Sequence, residues 1–139
     1  MLSRVLVPMD GSEMAERALG YALENHPDAD VTVLVVVGEP SVMMGEAMSL
    51  AFEEDIEAAA EQRAEAVVDH ARELASDHDA EIDTAVAVGR PARAIVARAE
   101  NYDAVVLGSH GGSLSDRLFV GDVAERVFRR SPGPVTTVR

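Results

Sequence analysis

Residues able to do chemistry gather in two glycine-bearing stretches. The first is Asp10-Gly11-Ser12-Glu13. The second runs from Gly108 to Val123 and carries Ser109, His110, Gly111, Gly112, Ser113, Ser115, Gly121 and Asp122. Each follows an apolar run. Glycines let main-chain N–H groups come close to an anion, and a helix start adds unpaired donors and partial positive charge. Strand, glycine loop and helix start can therefore cradle a phosphate, although the same sequence also makes an ordinary turn. Ser109 and His110 are adjacent, but no third triad member is evident and the G-x-S-x-G spacing is absent. A Walker A loop needs a lysine, as a receiver-type phosphoacceptor site usually does, and the chain has none; G-x-G-x-x-G is also missing. A small hydrolase using Ser109 or His110 stays as an alternative that turnover of a generic ester would reveal.

The elements that must position these residues follow from the apolar pattern. Arg4 to Met9 and Val31 to Val37 are nearly continuous apolar runs, as strands buried on both faces require. Ala15, Ala18, Leu19 and Ala22 recur at helical spacing after Asp10, whose capping-box spacing to Glu13 makes it the expected cap. Pro27 ends that helix. Ser41 to Leu50, with Met43, Met44 and Met48, reads as a loose helix or a flap. Glu53 to Ser76 is a long helix with Ile56, Ala60, Ala64, Val67, Ala71 and Leu74 on one face and acids on the other. His70 and His78 sit at its solvated acidic end. Ile82 to Val88 is a third strand. Pro91 opens a helix with Ala92, Ile95, Val96 and Ala99 inward. Ala104 to Leu107 is a fourth strand. A last helix follows, with Val120, Val123, Ala124, Val127 and Phe128 inward, and Val135 to Val138 is a fifth strand.

This alternation predicts an α/β fold over 1–139 as one domain: a doubly wound five-stranded parallel sheet, order 3-2-1-4-5, Rossmann-like, with helices on both faces. In that order the chain reverses between the first and fourth strands, and ligands bind beyond the strand ends at such a switch point. The two chemistry-bearing stretches are the loops that meet there.

Composition narrows the classes. The chain has 139 residues, 47% of them hydrophobic, enough for a sizeable core. Lack of cysteine excludes disulfides and thiolate chemistry. The longest apolar run, Val33 to Val37, is far short of a membrane span. The first strand begins almost at once, leaving no room for a signal peptide, so a cytoplasmic protein is expected. The net charge is -13, which argues against a nucleic-acid partner. All twelve basic residues are arginine. Such an acidic, lysine-free surface is similar to that of proteins from salt-accumulating halophiles, where a screening length of ~3 Å at 1 M salt tolerates it.

The residues resemble a universal stress protein. The likeness rests on Val5-Leu6-Val7-Pro8-Met9-Asp10-Gly11-Ser12, on Val88-Gly89-Arg90-Pro91, and on Gly108-Ser109-His110-Gly111, nine residues, then Gly121. The ATP-binding branch is described by G-x-x-G, nine residues, G-(S/T); Gly108, Gly111 and Gly121 match it. The resemblance implies adenine-nucleotide binding. Asp10 would contact the adenine edge or ribose, Pro8 would shape that loop, and Val36 would contact or pack on adenine. Gly108 and Gly111 would bring N–H groups to ribose and phosphates, with Ser109 and His110 between them. Gly121, Asp122 and Val123 would hold the outer phosphates. It also implies a homodimer through Val135 to Val138, and a regulatory module with at most slow ATP hydrolysis.

One position departs from the pattern: Asp122 stands where the family has a hydroxyl donor. A carboxylate repels phosphate by ~1 kcal/mol at 4 Å in water, and by ~4 kcal/mol at an effective dielectric of 20. Asp122 could satisfy its own helix and close the phosphate site, leaving a dimeric adaptor that binds no nucleotide. It could hold the phosphates through Mg²⁺ or Mn²⁺. Or the ligand could carry fewer phosphates, as AMP does.

Overall fold

The computed structural model describes residues 2–38, 53–109 and 122–139, with only the backbone of 53–57. Ser41 to Leu50, His110, Gly111, Gly112, Ser113, Ser115, Val120, Gly121 and the Ile56 side chain lie outside the described residues.

The elements in order are β1 (Arg4–Met9), α1 (Glu13–Asn25), β2 (Asp30–Val37), α2 (Glu53–Asp77), β3 (Asp83–Val88), α3 (Pro91–Ala99), β4 (Ala104–Gly108), α4 (Asp122–Arg130) and β5 (Val135–Val138). The strands form one sheet in the order β3-β2-β1-β4-β5, with parallel pairing throughout. This is the doubly wound α/β arrangement expected from the sequence. Strand bounds differ by a residue: Asp30 joins β2, and Ile82 precedes β3 while packing against the core.

Alternation along the strands explains the layers. Val5, Val7, Met9, Val31, Val33, Val35 and Val106 face α1 and α2. Leu6, Leu34, Val105 and Leu107 face α3 and α4. Successive side chains leave a strand on opposite faces, so a strand apolar on both must be covered twice. The loop before β4 is tied to the start of β1. Asp103 accepts the main-chain N–H groups of Arg4 and Ser3, each at 2.9 Å. Those two bonds hold its carboxyl below the usual range.

Helix α2 meets the sheet through Ala60, Ala64, Ala71 and Ala75, with Val67 and Leu74 half-buried. Its acids Glu53, Glu57, Glu61, Glu65, Asp69, Glu73 and Asp77 follow one another at four-residue spacing, a ladder of like charges along a single helix. Two of the expected inward residues differ. Phe128 is 66% exposed and Val123 39%. The described part of α4 has nine residues and buries only Ala124 and Val127. One residue on from Val127 turns Phe128 about 100° away from the sheet.

His70 and His78 are not simply solvated. His70 Nε2 lies 2.7 Å from Glu16 Oε1, joining α2 to α1, and His78 Nε2, just past the end of α2, lies 3.3 Å from Glu24 Oε1 of α1. The Leu74 carbonyl, accepting from His78 Nδ1–H at 2.9 Å, and the Glu24 carboxylate hold the His78 ring above its usual range. A raised histidine contributes stability that is fully present below ~6.5 and is lost as pH climbs through the higher folded value. Glu24→Gln is expected to cost a few tenths of a kcal/mol near pH 6 and nothing near pH 9. Urea melts at the two pH values check this; an equal cost at both would refute it.

Candidate functional site

The loop after β1 is built by local hydrogen bonds. Gly11 takes φ +83°, a left-handed conformation that side chains rarely adopt. This turns the chain so that Ser12, at φ -79° and ψ 156°, becomes the cap of α1. Its hydroxyl accepts the Ala15 N–H at 3.2 Å. The expected cap, Asp10, sits too early for that. Its Oδ1 accepts the Ser12 N–H at 3.0 Å and closes the turn one step before the helix. The consequence is a carboxylate fixed at the carboxyl end of β1.

The loop after β4 begins at Gly108, which approaches α1 closely. A Cβ built on it would lie 2.9 Å from the carbonyl carbon and the Cβ of Met14 and 3.0 Å from the Met14 carbonyl oxygen. Packing of α1 on β4 therefore accounts for this glycine. The next residue, Ser109, is buried, and its main-chain N–H is bonded to the Val138 carbonyl at 2.8 Å. That donor belongs to the sheet.

Between these loops lies a cavity of about 260 Å³. Its apolar part comes from Leu34 and Val36 of β2, Ile95 of α3, Leu107 of β4 and Ala124 of α4. Asp10, Ser12 and Asp122 are its polar lining residues, and Pro8, Gly108, Pro91 and Val123 complete much of the outline. Of the residues singled out from sequence, Pro8, Asp10, Val36, Gly108, Asp122 and Val123 line this one cavity. Ser109 is not among the described lining, and His110, Gly111 and Gly121 fall in the undescribed segment. Sequence reading missed Leu34, Ile95 and Leu107, because an inward apolar residue of a strand or helix looks the same whether it meets a ligand or another element. Their position at the switch point was the available signal.

Among the described residues the cavity lining has two carboxylates and no arginine or histidine. Asp122 opens α4 and is exposed. Among the described residues no three His, Asp or Glu side chains gather closely enough to hold a metal ion. Among the described residues no helix is long and apolar enough to cross a membrane.

Known proteins agree with this geometry. A universal stress protein of Thermus aquaticus is 33% identical over 150 residues, covering all of both chains. The solved universal stress protein UspA of Lactobacillus plantarum superposes with a TM-score of 0.78 at 25% identity, covering 99% of this chain and 97% of that one. A universal stress protein of Archaeoglobus fulgidus, solved in complex with dAMP, has a TM-score of 0.64 at 25% identity, with 100% and 98% covered. The sequence pattern of the Universal stress protein family matches residues 1–139 in full, and the chain belongs to that family.

Proposed function

We propose that this chain is a single-domain, cytoplasmic adenine-nucleotide-binding module that reports nucleotide state to other proteins. The observation that carries the reading is the cavity at the switch point. An apolar slot edged by a few polar groups has the character of a small-ligand site, and a flat base with a hydroxyl-bearing ribose suits it. The dAMP held by the Archaeoglobus fulgidus relative is the same class of ligand. Pro8, Asp10, Val36, Gly108 and Val123 are the described residues assigned to the nucleotide, with His110, Gly111 and Gly121 of the following loop. Ser109 stays in this assignment through its place in that loop. ATP, AMP and a Mg²⁺ or Mn²⁺ complex are the ligands to compare.

Calorimetric titration with ATP and with AMP, with and without Mg²⁺ in molar KCl, tests the reading. Heat of binding with at least one nucleotide is expected; silence in every condition overturns it. Silence is the result that the second reading requires, a dimeric adaptor whose phosphate site Asp122 closes. The position of that carboxylate at the cavity is what favours it.

The reading includes a homodimer and a salt-rich cytoplasm. Strand β5 pairs with β4 on one side, and the main-chain groups of its other edge suit pairing with a second copy. A monomeric mass by light scattering in molar KCl counts against the dimer.

A further inference from the structure

Two residues that line the cavity, Ser12 and Ala15, stand at the start of α1, and helix α2 reaches that start at two points. A Cβ built on Gly11 would lie 3.5 Å from Val67 Cγ2, so Val67 backs the Asp10-Gly11-Ser12 bend. Three residues further along α2, His70 sets its Nε2 2.7 Å from Glu16 Oε1. Residues at that spacing are neighbours on one helix surface. Glu16 is itself tied to the bend, because its main-chain N–H is bonded to the Ser12 carbonyl at 3.1 Å. A pull or a release at His70 is therefore passed to the cavity lining through a single helical turn.

The His70 ring is held between two carboxylates. Its Nδ1 lies 3.7 Å from Glu73 Oε2 of its own helix, while Nε2 meets Glu16 of α1. An imidazolium has an N–H for each. A neutral imidazole has only one, so its other nitrogen turns a lone pair toward a carboxylate. Arg17 of α1 is paired with Glu13 at 3.2 Å, and Arg72 of α2 reaches Thr84 Oγ1 of β3 at 3.4 Å, so neither takes the place of His70 at Glu16. Asp69, next to His70 on α2, adds negative charge. The sheet faces the two helices with Val5, Val7, Val31, Val33 and Val35, which do not titrate. The His70 side chain is 47% exposed, so protons reach it freely.

We infer that His70 is a positioning residue for the cavity: its protonated ring holds α2 against the start of α1 and keeps the Asp10-Gly11-Ser12 bend set for a ligand, and its neutral ring releases that bend. Histidine is the side chain whose ordinary titration falls between about pH 5 and 8, so the affinity of the cavity falls as pH rises through that interval. A bend that is already ordered costs a ligand less to bind. Both side chains of the contact are partly exposed, so the expected size is modest, about two- to fivefold in affinity. The effect on affinity rests on the adenine reading of the cavity, whereas the response of the bend stands without it.

The test has two readouts. In the first, the amide resonances of Gly11 and Ser12 are followed by NMR in a pH titration of the free protein. They are expected to move together with the His70 ring resonance in the wild type, and to lose that component in His70→Gln and in Glu16→Gln. His26, His78 and His110 remain in both variants and supply the background. The second readout is calorimetric titration with adenosine, which has no group that titrates in the histidine range. Wild-type binding is expected to be about two- to fivefold tighter near pH 6 than near pH 8.5, and equal at the two pH values in both variants. Amides of Gly11 and Ser12 that stay still in the wild type overturn the inference, as does a response that survives unchanged in His70→Gln. So does adenosine affinity that is the same at both pH values in the wild type, or as pH-dependent in the variants. Absence of adenosine binding at both pH values counts against the adenine reading, and the amide titration then decides the inference by itself.

Discussion

Gly108→Ala is expected to destabilise the protein by about 1–3 kcal/mol, the usual cost of forcing an extra carbon into a packed interior. The added methyl would meet the Met14 carbonyl carbon and Cβ at 2.9 Å and the carbonyl oxygen at 3.0 Å. Two of these three atoms are main chain and the third is attached to it, so no side-chain rotation relieves the contact. Relief requires α1 to lift from β4, and α1 carries the Ser12 and Ala15 that line the cavity. Gly20→Ala in the middle of the same helix is the matched control. Nothing lies within 4 Å of its built Cβ. Alanine there is expected to stabilise by ~0.5–1 kcal/mol through its better helix propensity. Urea denaturation of the two variants gives the comparison, with the midpoint moving and the slope held. A Gly108→Ala protein as stable as wild type would show that packing on Met14 does not fix this glycine.

Raising KCl from 0.1 M to 1 M is expected to stabilise the fold by about 1–3 kcal/mol. The acid ladder of α2 provides the reason. From Glu53 to Asp77 it makes six consecutive like-charge pairs at i,i+4 spacing, and the helix has only Arg63 and Arg72 to answer them. Each such pair opposes the helix by ~0.2–0.5 kcal/mol, and salt removes most of that as the screening length falls from ~10 Å to ~3 Å. The chain's net charge of -13 acts in the same direction. Thermal melts across the KCl series measure the gain. Charge-reducing changes at Glu61 and Glu65 to glutamine are expected to flatten the curve, which separates screening from a general salting effect. A melting temperature that is flat up to 1 M would defeat the halophilic reading.

The sheet was legible because its evidence is local. Val31 to Val35 and Val105 to Leu107 are buried on both faces, and only strands beneath two helix layers have that need. The order 3-2-1-4-5 followed from the alternation of elements. The cap of α1 was misassigned to Asp10 because spacing alone cannot register the positive φ of Gly11, which moves the helix start to Ser12. Phe128 was placed inward because it follows Ala124 at i,i+4 spacing, whereas the buried stripe of α4 passes through Ala124 and Val127 and leaves Phe128 to one side. Gly108 matched a ligand motif, yet the atoms that forbid a side chain there belong to Met14, far away in sequence. The same distance hid the Glu16–His70 and Glu24–His78 contacts. Asp122 was legible as a departure, and its place at the cavity required the fold.

Those two contacts bear on how α2 finds its seat. The face it presents is Ala60, Ala64, Ala71 and Ala75, so sliding by one turn would lay alanine where alanine had been in two places. A surface that smooth stores little information about axial position. The partners, however, advance by eight residues in each segment, from Glu16 to Glu24 along α1 and from His70 of α2 to His78, the residue that follows its last turn. The helices therefore run side by side in one direction, and a single displacement along the axis would part both contacts together. Two weak, widely spaced matches act like the marks of a vernier scale, distinguishing the native setting from its near copies even though each adds little to the total stability.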